Sequence, residues 1–106
     1  MATSFISVVS KSVGTTEVIS FTATEKSILI GGNIVSLKTT SVPVNLILRR
    51  GTDNTYLFKA KRIQTGEGLE ISKGNKLVLA VGDKLVISAG ADNGVDAVFS
   101  ILQGVT

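Results

Sequence analysis

The chain has no cysteine, no histidine and no tryptophan, and a single proline, among its 106 residues. Without cysteine there is no disulfide framework, zinc knuckle, iron–sulfur centre or thiol nucleophile. Without histidine the side chain that most often serves as general base or metal ligand near neutral pH is missing. The chemistry left to an enzyme is that of carboxylates, lysines and hydroxyls, and the eight Asp and Glu residues are scattered along the chain.

Two places bring acids close together. Glu67 and Glu70 are three apart, so on an extended chain they face opposite ways and make a poor general acid–base pair. Asp92-Asn93-Gly94-Val95-Asp96 offers two carboxylates and an amide to a hard cation such as calcium, but it lacks the twelve-residue loop and its closing bidentate glutamate. Asp-Asn-Gly is first a turn-former. The serines and threonines read as polar faces of strands, since a hydroxyl nucleophile needs a base and an oxyanion site. The glycine-rich segments do not match G-x-x-x-x-G-K-[ST] and open no helix, so they read as turns and not as phosphate cradles. No catalytic residue, metal ligand, cofactor or small-molecule substrate is assigned, and the chain is not expected to be an enzyme.

Charge of one sign is also in short supply. Eleven Lys and Arg against eight Asp and Glu leave +3. A duplex-DNA binder carries a denser basic stripe, because its affinity is assembled from several phosphate neutralisations, so nucleic acid is not an expected partner. No stretch approaches the roughly 18 apolar residues of a membrane-crossing helix. The opening Met1-Ala2-Thr3-Ser4-Phe5-Ile6-Ser7-Val8-Val9 has no basic segment, and serines break its apolar residues, so neither a secretory signal nor a membrane partner is expected.

What is present is alternation with period two, recurring from end to end, with turn residues every eight to twelve positions. Strands are predicted at Phe5–Lys11, at Glu17–Thr24 with Ile19, Phe21 and Ala23 on one face, and at Ser27–Ile30. Gly31-Gly32-Asn33 tolerates positive φ and breaks or bulges the strand, marking a turn before it resumes at Ile34–Thr39. Val42–Arg50 alternates Val42, Val44, Leu46 and Leu48 against Pro43, Asn45, Ile47 and Arg49, with the proline at its second residue, where a lost ladder donor is tolerated. Gly51-Thr52-Asp53-Asn54 turns this strand into Thr55–Ile63, where Tyr56, Phe58 and Ala60 oppose Leu57, Lys59 and Lys61. Leu69–Ser72, Lys76–Val81, Lys84–Ala89 and Val95–Leu102 follow, the middle two joined through Gly82-Asp83. The reading is one all-β domain over residues 1–106: an antiparallel β-sandwich of about seven to nine strands, Ig-like or jelly-roll-like.

One local concentration stands out. Arg49, Arg50, Lys59, Lys61 and Arg62, five of the eleven basic residues, lie on or beside the arms of one hairpin, with Tyr56 among them. These six are the candidate partner-binding residues, since arginine suits bidentate contact with anionic groups. The competing reading is a solvated face or an edge strand guarded by charge against unwanted pairing. With only five aromatic residues, a stacking platform for bases is poorly supplied.

The second half of the chain carries a resemblance. Val44-Asn45-Leu46-Ile47-Leu48-Arg49-Arg50-Gly51, Tyr56-Leu57-Phe58, Gly66-Glu67-Gly68-Leu69-Glu70, the run from Lys76 to Leu85 and the close Val95-Asp96-Ala97-Val98-Phe99-Ser100-Ile101-Leu102 resemble small all-β virion structural proteins of tailed phages, notably phages of marine bacteria and cyanobacteria. The resemblance covers about sixty residues and rests on the order of strands and turns. It implies a sandwich that packs against other virion subunits, often in rings or trimers, and carries no active site. The expected role is a capsid decoration (cement) subunit or a small neck or tail component. Its expected partners are other virion proteins and further copies of itself, and its expected place is the virion, assembled in the host cytoplasm. The alternative is a host-surface-binding module of a tail or fibre, recognising glycan or protein.

Overall fold

In the computed structural model, which describes residues 4–64, 68–71 and 77–104, nine strands are arranged as two antiparallel sheets packed face to face. They are β1 (Ser4–Val13), β2 (Val18–Thr22), β3 (Ser27–Ser36), β4 (Val42–Arg50), β5 (Asp53–Ile63), β6 (Gly68–Ile71), β7 (Leu77–Leu79), β8 (Lys84–Ala89) and β9 (Val95–Gln103). One sheet has the order β1-β9-β3-β6, with β7 also paired to β3; the other has the order β2-β8-β4-β5. β6 pairs with Gly32–Val35 and β7 with Ser27–Leu29, so the two lie end to end along the same side of β3 and fill one strand position. Apart from the β4–β5 hairpin and the β6–β7 step, successive strands therefore cross from sheet to sheet in the order of a jelly roll, which selects that arrangement from the two sandwich types the alternation allows.

The core is built from the inward halves of the alternating strands. Leu29, Ile34, Phe99 and Ile101 from one sheet meet Val44, Leu46, Leu85 and Ile87 from the other, and all eight are fully buried. At about 25 cal/mol per Å² of apolar surface removed from water, this interdigitated layer is the main term holding the sheets together.

Four features depart from the sequence reading. Gly31-Gly32-Asn33 is no turn: β3 runs through it with only a bulge between Leu29 and Gly31, because both halves of the strand pair with β9. Gly32 lies opposite Phe99, and a Cβ there would stand 2.5 Å from the Val98 carbonyl oxygen, so glycine serves close packing at this point. In β2 a bulge between Ile19 and Phe21 moves Ile19 off the core face, leaving it exposed in the row of Val86 while Phe21 and Ala23 stay buried. In β5 a bulge puts Phe58 opposite inward Leu46 and Tyr56 opposite outward Ile47, so these two aromatics face opposite ways. The predicted two-residue turn at Gly82-Asp83 is a four-residue turn, Ala80–Asp83. Asp83 N donates to Ala80 O at 3.0 Å and Gly82 has φ +92°, as a type II turn requires of its third residue. The predicted turns at Gly66-Glu67-Gly68 and Lys73-Gly74-Asn75, and the strand ends at Ser72 and Lys76, fall wholly or partly outside the described residues.

Candidate functional site

The β4–β5 hairpin that carries the basic residues is closed by Gly51 and Thr52, with Arg50 opposite Asp53. Gly51 has φ +63°, the conformation a type II′ loop needs at its first position. β5 is the outer strand of its sheet, so among the described residues its outer side faces no other strand of that sheet.

The structure divides the six candidate residues into three groups. Arg49 lies on the outer face, where Nε donates to Asn54 Oδ1 at 2.7 Å and Nη2 to Glu17 Oε1 at 2.9 Å. The Glu17 contact reaches across β8, the strand between β2 and β4, and Val86 of β8 is fully buried although it belongs to that outward face. Arg50 turns to the end of the sandwich, donating from Nε and Nη2 to the two carboxylate oxygens of Asp83 at 2.9 and 2.7 Å. Both arginines are thus engaged within the chain.

Tyr56, Lys59 and Arg62 form the second group. The Lys59 ammonium stands 5.1 Å from the centre of the Tyr56 ring, within cation–π range. Arg62 lies opposite Pro43 on the outward row and donates from Nη1 to Ser41 Oγ at 3.3 Å. Lys61 stands alone: it is opposite inward-facing Val44 yet exposed, so a charge points to the core side of an edge strand. Ala60, beside it, is held at φ +51° with its N–H donating to Asn45 Oδ1 at 2.8 Å. Two bulges, an inward-side lysine and exposed positive charge are devices that stop an edge from accepting another strand.

Three aspartates are engaged within the chain. Asp83 is buried, and besides Arg50 it accepts the Ala80 N–H at 2.9 Å. The Arg50 hydrogen bond, helped by the Ala80 N–H and the arginine charge, holds the Asp83 carboxyl below the ordinary carboxylate range against the opposing effect of burial. Asp96 Oδ1 accepts the Ser12 N–H at 2.8 Å and Asp92 Oδ1 the Thr15 hydroxyl at 3.4 Å, so the Asp92–Asp96 segment binds the β1 end of the chain. Among the described residues no three of His, Cys, Asp and Glu gather where a metal ion would fit. Glu67 lies outside the described residues, as does the side chain of Glu70.

No family model and no curated protein matches this sequence. The fold, however, has a solved counterpart. A structure from Bacillus, described as endospore appendages that form a novel family of disulfide-linked pili, superposes with a TM-score of 0.58 over 99% of this chain and 88% of that one, at 13% identity. The likeness is one of fold.

The side of the sandwich formed by β1 and β2 has a different character from β5. The two strands meet there, Ser10 Oγ lying 2.7 Å from Ser20 Oγ. From Ser4 to Ser10 the edge strand β1 pairs with β9 in unbroken register and contains no charged residue. Its outward side chains include Phe5 and Val9, 75% and 61% exposed. Beside Val9 the outer face of the β1-β9-β3 sheet holds a shallow groove of about 150 Å³, lined by Val9, Val35 and Val98 and flanked by Lys11, Asn33 and Asp96. Reading the sequence for charge led to β5 and passed over β1; the signal available was the low charge of the first strand together with a phenylalanine and a valine on its outward parity.

Proposed function

We propose that this chain is a structural subunit of a phage virion, a capsid decoration subunit or a small neck or tail component, that acts by associating with copies and neighbouring proteins through its sheet edges and outer faces. The observation that carries this reading is the contrast between the two sides of the sandwich: β5 is guarded by charge and bulges, whereas β1 offers a regular, uncharged stretch from Ser4 to Ser10 with Phe5 and Val9 exposed. One further finding supports an assembly role: the fold is shared with a structure described as belonging to pili. The virion itself is named from the resemblance read in the second half of the sequence. A subunit that binds only the assembled particle stabilises it by mass action, in proportion to the logarithm of its concentration over its dissociation constant. The test is co-sedimentation of purified protein with capsids and tails, with mass spectrometry of the particles. Saturable association supports the assignment, and its absence from both overturns it.

A second reading, a host-surface-binding module, rests on exposed Tyr56 with Lys59 stacked over it and Arg62 on the same outward face. Replacing these three by alanine abolishes binding to host cells or glycans under that reading and leaves particle association unchanged under the first.

A further inference from the structure

The segment Ser4-Phe5-Ile6-Ser7-Val8-Val9-Ser10 is a palindrome in polarity about Ser7. It occupies the part of β1 that is regular and, among the described residues, unpaired on its outer side within the sheet, and the bulge between Ser10 and Val13, with Ser12 at φ +52°, ends that stretch. We propose that two copies of this chain pair along this edge, antiparallel, about a two-fold axis through Ser7, joining their β1-β9-β3 sheets into one.

The register follows from the pleat. A two-fold axis perpendicular to the sheet keeps each face continuous, so only residues of the same parity come opposite one another. Centred on Ser7, the pairing opposes Ser4 to Ser10, Phe5 to Val9 on the outer face, Ile6 to Val8 on the core face, and Ser7 to itself. Centred on Ile6 it would oppose Phe5 to Ser7, and centred on Val8 it would oppose Phe5 to Lys11; both spoil the match. A self-complementary patch is what an isologous interface requires, so the occupant the strand fits best is a second copy.

The outer face adds an independent argument. Phe5 is 75% exposed, and in this register the Phe5 ring of each copy lies against Val9 of the other, at the rim of the 150 Å³ groove. The pairing thus covers the two most exposed apolar residues of β1 and satisfies its open N–H and C=O groups. It deepens the assembly reading and rests on it only in that both use β1; dimerisation is measured on free protein, so its failure and the failure of particle binding are separate results.

The test is the solution mass by light scattering over a concentration series, with two variants. The wild type is expected to reach twice the chain mass at high concentration. Ser7→Lys, which sets two ammonium groups opposite one another at an exposed position, is expected to remain folded by circular dichroism and to weaken association at least tenfold. Because the chain has no cysteine, Ser7→Cys reports the axis directly: under a mild oxidant it should form a disulfide-linked dimer, whereas Lys61→Cys on the guarded edge should not. A wild type that stays monomeric to millimolar concentration, a dimer indifferent to Ser7→Lys, or cross-linking of Ser7→Cys no faster than that of Lys61→Cys overturns the proposal.

Discussion

Arg50 grips Asp83 with two parallel hydrogen bonds of 2.9 and 2.7 Å, tying the end of the β4–β5 hairpin to the turn that starts β8. Asp83 in turn organises that turn. Its carboxylate accepts the Ala80 N–H and its carbonyl the Ala23 N–H at 2.8 Å, while Gly82 N–H donates to Ala23 O at 2.7 Å. Three segments, the hairpin end at Arg50, the Ala80–Asp83 turn and Ala23 after β2, are held together at Asp83, whose buried carboxylate is paired with a solvent-facing arginine.

The pH dependence of stability follows from this pair. The folded carboxyl of Asp83 is held below its unfolded value of about 3.9, first by the Arg50 hydrogen bond. Its contribution to stability is therefore complete above about pH 4 and is lost as the pH falls through the lower folded value. Arg50→Ala is expected to lower the melting temperature at pH 7, and the gap to wild type is expected to narrow as the pH falls below about 4. Thermal denaturation of both proteins from pH 7 to pH 2 checks this; a gap that stays constant through the acid range refutes it.

Phe99 is fully buried in β9, with Ala97 and Ile101 on the same inward row. Phe99→Ala removes the ring and leaves a cavity between the sheets, at a cost of about 3–5 kcal/mol. Urea denaturation measures it, and a loss under about 1 kcal/mol would mean that neighbouring side chains collapse into the space.

The two adjacent glycines of β3 should behave differently. A Cβ on Gly32 meets the Val98 carbonyl oxygen at 2.5 Å and the Phe99 side chain at 3.2 Å, whereas one on Gly31 meets nothing within 4 Å. Gly32→Ala is expected to cost roughly 1–3 kcal/mol, because backbone must move. Gly31→Ala is expected to be neutral or to stabilise by up to about 1 kcal/mol through the unfolded chain. Equal effects in denaturant titrations would contradict the assigned bulge register.

Ala60 provides a gain. It holds φ +51° in a β5 bulge, a conformation that costs an L-residue about 1–2 kcal/mol and glycine almost nothing. After the extra chain entropy of glycine, Ala60→Gly is expected to stabilise the fold by about 0.5–1 kcal/mol, read by calorimetry. A fall in melting temperature would show that the alanine methyl makes contacts that outweigh the strain.

Much of the fold is legible in the chain because it depends on near neighbours. Val42–Arg50 and Lys84–Ala89 have the bounds the alternation predicts, since each is regular and its turn residues lie next to it. Where a side chain's face departed from prediction, a bulge had intervened: Ile19 leaves the row of Phe21, and Tyr56 the row of Phe58, because one extra residue shifts the parity of everything beyond it. Nothing local to those residues marks the shift. The candidate basic residues were visible as a cluster, but their partners were not, because Asp83 and Glu17 are 33 and 32 residues away from the arginines they bind.

The β class, the inward rows of the regular strands and the lack of thiol and imidazole side chains follow from residue type and period, and were legible in the chain alone. Only the tertiary structure decided which strands end up at the sheet edges, which charges are consumed inside the molecule and which apolar side chains stay uncovered. Edge position is a property of pairing between segments far apart in the chain, and a strand's own residues do not specify whether its second side will be met. For that reason β5, rich in charge, and β1, nearly free of it, both came to lie at sheet edges among the described residues.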